Sequence, residues 1–238
     1  MGAASGPVSG DGGPGPISGD GGPDAVSADG SPVAVYLAAP PDDCAEVVAQ
    51  LAPSPARLLE LGCGVGRTTR QLVGLGYRVT AVDDSPQMLA HVTGCEVVEA
   101  DLFALDLGAR FDVVLGASHF VDDADPARRS ALLATCARHL APGGVVLLER
   151  YDPAWVAAPE SYGGSAGPVA IDFDVLDVGA DGVVQARLVY DLRGRTWVQE
   201  FAFVAATEQL VGREAQAHGL ALVGVHGDDA TWLALRRQ

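Results

Sequence analysis

The stretch from Leu58 to Arg70, LLELGCGVGRTTR, restricts the fold more than any other part of the chain. An apolar run leads into three glycines at alternate positions, Gly62, Gly64 and Gly66, and a helical pattern follows. Glycine is required where a chain turns sharply from strand to helix and its backbone must approach a ligand closely. Asp83 lies 21 residues beyond Gly62, at the end of a second apolar run, RVTAVD (78–83). A carboxylate so placed can accept both hydroxyls of an adenosine ribose. Strand, glycine loop, helix, strand and acid together form a nucleoside-binding layout. A dinucleotide fingerprint needs a small residue five positions after the first glycine, where this chain has Arg67. Glu60 would also face a pyrophosphate unfavourably, and it suits a ligand carrying an ammonium or sulfonium. A nicotinamide oxidoreductase is therefore the weaker reading.

Strands and helices alternate around this segment. Residues 42–52 have helical apolar spacing, 57–61 read as a strand and 67–74 as a helix. Ser85-Pro86 open a helix, 96–100 and 111–117 read as strands, and Asp125-Pro126 start a helix that stops near Pro142-Gly143-Gly144. VVLLERY (145–151) is the next strand. Such alternation with continuous apolar strands predicts an α/β fold with a mostly parallel sheet covered on both faces. Beyond Tyr151, three segments with period-two alternation predict an antiparallel β-meander over about 152–205, inserted before the last helix. Thr207 caps that helix, and two closing strands follow.

Apolar residues make up 48% of 238, enough for one buried core. No apolar run reaches membrane-spanning length, and no basic segment with an apolar stretch opens the chain, so the expected compartment is the cytoplasm. The net charge is −16 and all 15 bases are arginine, which excludes lysine chemistry and disfavours nucleic acid as a partner. Cys44, Cys63, Cys95 and Cys136 are scattered and read as reduced thiols. Residues 6–32 hold three copies of a nine-residue unit, GPVSGDGGP, GPISGDGGP and DAVSADGSP. The glycine and aliphatic positions of calcium-binding nonapeptides are missing, so 1–33 are expected to form a disordered Gly/Pro/Ser/Asp-rich tail before a domain spanning 34–238.

ELGCGVG, then AVDDSPQML and EADLFALDL, resemble the first three motifs of class I S-adenosylmethionine-dependent methyltransferases of the small-molecule type. FDVVLGASHF and LAPGGVVLLER resemble the fourth and fifth, all in the family's order. The resemblance implies a Rossmann-like, doubly wound sheet and S-adenosyl-L-methionine as cofactor. It further implies that Glu60, Gly62, Cys63 and Gly64 line the methionine part, with Arg67 and Thr68 at the helix start. Asp83 would hold the ribose, Asp84 and Met88 would flank the adenine, and Asp101 would accept from its amino group while Leu102 packs on the ring. Ala117 and Ser118 would border the transferring methyl. Asp84 departs from the family, which often has an apolar residue there.

Methyl transfer from a sulfonium is an in-line displacement, and a base is needed mainly for a protonated acceptor such as a hydroxyl. His119, just past the fourth strand, is the candidate base; a structural histidine bonding a loop carbonyl is the other reading. His91, His139, His218 and His226 are expected on solvated surfaces. Asp122, Asp123 and Asp125 are expected to serve helix capping rather than a metal, and no metal is expected. Tyr36, Arg150 and Tyr151 are candidate substrate contacts, with Arg150 facing either a substrate carboxylate or Glu149. The expected function is methyl transfer to an oxygen or nitrogen of a small molecule, with a homodimer as the one protein assembly considered. A cyclase or a non-catalytic cofactor-binding protein on the same scaffold is the alternative.

Overall fold

The computed structural model describes residues 25–238. Its central sheet has seven strands in the order β10-β11-β5-β4-β1-β2-β3. These are β1 (Arg57–Leu61), β2 (Arg78–Asp83), β3 (Glu96–Glu99), β4 (Phe111–Gly116), β5 (Leu140–Glu149), β10 (Leu220–His226) and β11 (Trp232–Arg237). All neighbours pair in parallel except β11, which runs antiparallel to both β5 and β10. Alternate side chains go to opposite faces, and both faces are apolar. Leu58, Val113 and Leu147 pack under α2 (Cys44–Leu51) and α3 (Arg67–Gly74), while Leu59, Val114 and Leu148 pack against α5 (Pro126–His139) and α7 (Glu208–Gln216). This is the mostly parallel α/β architecture that the strand pattern predicts.

The helix starts follow capping chemistry. Ser85 Oγ accepts from the Met88 amide to start α4 (Pro86–Leu89), Asp125 from Ala127, and Thr207 from Leu210. Two strand boundaries differ from expectation. β5 begins at Leu140 and includes Pro142-Gly143-Gly144, since a Cβ at Gly144 would lie only 2.7 Å from the Asp112 carbonyl; the glycine lets the backbones close up. The antiparallel sheet has four strands, not three: β6 (Tyr162–Ala166), β7 (Val169–Val178), β8 (Val184–Leu192) and β9 (Arg195–Phe203). β6 reads YGGSA, without strand propensity, and exists through its pairing with β7. A short helix, α6 (Pro153–Val156), leads into this sheet. No helix among the described residues is long and apolar enough to cross a membrane.

The start of the folded chain needs correction. Residues 1–24 lie outside the described residues, but from Ala25 the third repeat unit is packed. Val26 bridges Pro32, the Gln199 side chain donates to the Asp29 carbonyl at 2.9 Å, and Ser31 is buried. Next comes α1 (Val33–Ala38), which the sequence reading left out. Val33 packs on Val65 and Met88, and Val35 packs on Val169 and Tyr190 of the meander. Removing residues 25–33 should therefore lower stability by at least about 1.5–3 kcal/mol, the value of burying one valine side chain. Urea unfolding of truncations ending at 24 and at 33 checks this, and equal midpoints would show that the segment does not dock.

Candidate functional site

The site is built at the carboxyl ends of β1, β2, β4 and β5. Gly62, Gly64 and Gly66 all have left-handed φ, at 70°, 53° and 76°. The amides of Gly62 and Cys63 both donate to the Val82 carbonyl, at 2.8 and 2.9 Å, which fastens the loop to β2. The glycines have different duties. A Cβ on Gly62 would fall 2.3 Å from the Phe120 ring, whereas at Gly64 it would meet nothing within 4 Å. Gly62 thus makes room for Phe120, and Gly64 presents bare backbone to open space.

Asp83 is fixed by the same loop: Oδ2 accepts from the Gly64 amide at 2.8 Å and Oδ1 from Ser85 at 3.0 Å. Both oxygens retain lone pairs for hydroxyl donors. Burial raises its pKa, and the two amides oppose the rise. Glu60 is 3% exposed, with one side-chain partner, Thr69 Oγ1 at 2.6 Å. Burial pushes it up to about 7. A buried carboxylate with so little compensation is a seat for a cation.

A cleft opens above the glycine loop and Glu60. Of the residues singled out in sequence, it brings together Tyr36, Glu60, Gly62, Cys63, Gly64, Arg67, Thr68, Ala117 and Ser118. Asp42 and Val65 join them, and neither was expected. Asp42 carried a faint signal, an acid behind Pro40-Pro41 at a helix start. Asp83, Asp84, Met88, Asp101 and Leu102 sit beyond that lining, on the β2 and β3 side, and His119 sits beyond it past β4. Asp84 and Asp101 are exposed, Leu102 is buried, and Met88 is buried beneath α1. Arg67 donates to the Pro40 carbonyl at 2.6 Å and lies 3.7 Å from Asp42, so its charge is already engaged.

On the acceptor side, Ser118 and His119 are consecutive non-glycine residues with left-handed φ, at 69° and 62°. Such strain collects at functional sites and persists only where neighbours enforce it. Here Glu149 Oε2 takes the Ser118 amide at 2.6 Å, and the His119 ring stacks on Tyr151 with centroids 4.0 Å apart. His119 Nδ1 is buried without a partner; burial lowers the imidazole pKa to about 4, and a hydrogen bond with the Arg150 backbone, which agrees with the structural reading of this histidine, opposes the fall. His119 is therefore neutral at pH 7, as a proton acceptor must be, but it is a weak one.

Several expectations fall to distant contacts. Arg150 faces neither substrate nor Glu149: its guanidinium donates to the carbonyls of Ala206 at 2.8 Å and Ala230 at 3.0 Å. Tyr151 is wedged between His119, Trp155 and Phe203, and burial drives its hydroxyl pKa up. His139 is fully buried rather than solvated, with Nδ1 on the Thr135 carbonyl and Nε2 accepting from the Leu107 amide. His218 bonds Ser130, and His91 Nε2 is buried. Of the three acids proposed for capping, Asp125 caps, Asp123 pairs with Arg128, and Asp122 is a buried junction. Among the described residues no three His, Cys, Asp or Glu side chains gather to hold a metal.

Residues 58–144 match the family model described as a methyltransferase domain. The chain is 31% identical over 193 residues to the cypemycin N-terminal methyltransferase of Streptomyces sp., covering 73% of this chain and 76% of that protein. It is an S-adenosylmethionine-dependent methyltransferase. Solved structures agree on the fold. The sugar N-methyltransferase KedS8 from Streptoalloteichus sp. superposes on this methyltransferase with a TM-score of 0.69 at 20% identity, over 100% of this chain and 99% of that one. The amino pentose methyltransferase CalS10 from Micromonospora echinaspora, solved with S-adenosylmethionine bound, gives 0.64 at 24% identity, over 82% and 89%. The residues present suit that cofactor: bare backbone at Gly64, a buried carboxylate at Glu60 that would suit its ammonium, and, beside the lining, Asp83 with oxygens that would accept from a diol.

Two outcomes are expected for cofactor binding by this methyltransferase. Glu60 without ligand titrates near 7 and a cationic ligand favours its ionised form. Affinity for S-adenosylmethionine should thus rise between pH 5.5 and 7.5 with proton release, and Glu60→Gln should flatten the slope. Calorimetry in buffers of different ionisation enthalpy reads both effects; an unchanged slope in the variant would remove Glu60 from the site. Asp83→Ala should weaken binding by about 1.5–3 kcal/mol per ribose hydrogen bond. Wild-type affinity with an intact circular dichroism spectrum would exclude Asp83.

Proposed function

We propose that this methyltransferase transfers a methyl group to the nitrogen of an amine on a small molecule. The observation that carries the proposal is the charge around the cleft. Asp42 and Glu60 line it and Glu149 stands behind Ser118; the one base in the lining, Arg67, lies against Asp42, so the balance is negative. Burial raises the pKa of the nearby Cys44 thiol, and Asp42, Glu149, Glu60 and Asp43 add to the rise, so the four carboxylates stand close together. A low-dielectric cleft of one sign concentrates ligands of the other, and an amine enters as its ammonium. The names of the N-terminal, sugar N- and amino pentose methyltransferases support this choice, while shorter matches to ubiquinone biosynthesis O-methyltransferases name oxygen.

Bound S-adenosylmethionine would supply an electrophilic methyl group for the lone pair of an amine. Glu60 and Asp83 hold the cofactor's ammonium and ribose, with Asp84, Met88, Asp101 and Leu102 on the adenine side. Glu149 and Asp42 draw the acceptor ammonium to the mouth, where its proton passes to solvent. With His119 at about 4, removing a proton from a hydroxyl is uphill by many pK units. Its fitting role is to accept a hydrogen bond from the neutral amine and aim the lone pair. Tyr36 closes the cleft on the acceptor side.

A screen of matched amines and alcohols, read as a mass gain of one methylene, tests the proposal. Amines should turn over and their hydroxyl analogues should not; comparable turnover of both would overturn it. His119→Ala should cost kcat the worth of one hydrogen bond, about 0.5–1.5 kcal/mol or up to tenfold. A loss of 10²–10⁴ would instead indicate true base catalysis.

A further inference from the structure

We propose that Asp122 is a positioning residue for the transfer: it fixes the His119 imidazole by fastening the turn that carries it to Tyr151 and to the exit of the meander. This rests on the reading that His119 faces the acceptor. Asp122 is 1% exposed and bonded in every direction. Its amide donates to the His119 carbonyl at 2.9 Å, closing the strained turn. Oδ2 accepts from the Tyr151 amide at 3.0 Å, Oδ1 from the Ala206 amide at 2.9 Å, and its own carbonyl from Val204 at 2.8 Å. Three segments far apart in sequence therefore meet on one residue: the turn after β4, the end of β5, and the return of the meander into the core.

The contact to Tyr151 matters most for His119. The tyrosine ring lies nearly parallel to the imidazole, 13° between planes, and its surroundings include Phe203 at 4.6 Å from the strand that ends beside Ala206. The Ala206 peptide is held on both sides, its N–H by Asp122 and its carbonyl by Arg150. Shifting Asp122 thus moves both the stacking ring and the wall behind it.

A carboxyl group serves here because both of its oxygens can accept. An asparagine has the same shape, yet its amide nitrogen would meet either the Tyr151 or the Ala206 N–H, donor against donor. Burial pushes the Asp122 pKa up to about 7, the Ala206 and Tyr151 amides and Arg150 oppose the rise, and Glu149 adds to it. Among the described residues, no other side chain accepts from both the Tyr151 and the Ala206 amides.

The test uses the full chain with Asp122→Asn. Its kcat with a turned-over amine should fall about tenfold or more, as small misplacements of reacting groups do, while cofactor affinity stays within about twofold. NMR titration of the His119 ring supplies a readout independent of any acceptor. With the stack loosened and water admitted, its pKa should move from about 4 toward the unperturbed value of about 6.5. Tyr151→Leu removes the ring but keeps the Asp122 hydrogen bonds, and it should shift His119 in the same direction; it decides the matter if the asparagine variant fails to fold. A His119 titration unchanged in a folded Asp122→Asn, or in Tyr151→Leu when that variant alone folds, overturns the positioning role. Should no amine turn over while His119 still shifts, the proposed acceptor is wrong and the positioning role stands.

Discussion

The amides of Gly62 and Cys63 share the Val82 carbonyl, and the Gly64 amide reaches the Asp83 carboxylate. These bonds join the end of the first strand to the end of the second, in a geometry that left-handed glycines allow. Every other part of the site is measured from that junction. Phe120 rests on the missing side chain of Gly62, which sets the height of the turn after β4; Glu149 pins the same turn through Ser118. The cofactor side and the acceptor side are thus two edges of one fastened loop.

How much of this could be read from the sequence depended on range. Strand periodicity, the glycine spacing, and the caps at Ser85, Asp125 and Thr207 are local, and the structure follows them closely. What escaped involves partners far along the chain. Asp122 and Ala206 are 84 residues apart, and Arg150 and Ala230 are 80 apart. In a run reading VDDADP, three acids look alike, and only tertiary burial distinguishes the junction from the cap. Helix α1 has no side-chain cap, and its burial against two distant surfaces holds it in place. Most of the fold and the glycine-loop lining of the cleft were legible; the packing between the turn after β4, the end of β5 and the meander was not.

The absence of lysine acquires a structural sense. Arg67, Arg110, Arg129, Arg138, Arg150, Arg236 and Arg237 all donate to backbone carbonyls, at loops and strand ends. A guanidinium offers five donors in a rigid fork, so it can hold carbonyls from separate segments where an ammonium acts as a single point. Arginine here is largely a fastener of the backbone.

Helix α1 touches the cofactor side through Val33 and the meander through Val35, within three residues. The glycine-loop side of the sheet and the meander are therefore not interchangeable modules. A meander transplanted from a related enzyme would arrive without its matching helix and would disturb the packing beside the glycine loop. Replacing it means exchanging two stretches together, separated by more than a hundred residues of sheet that can stay as they are.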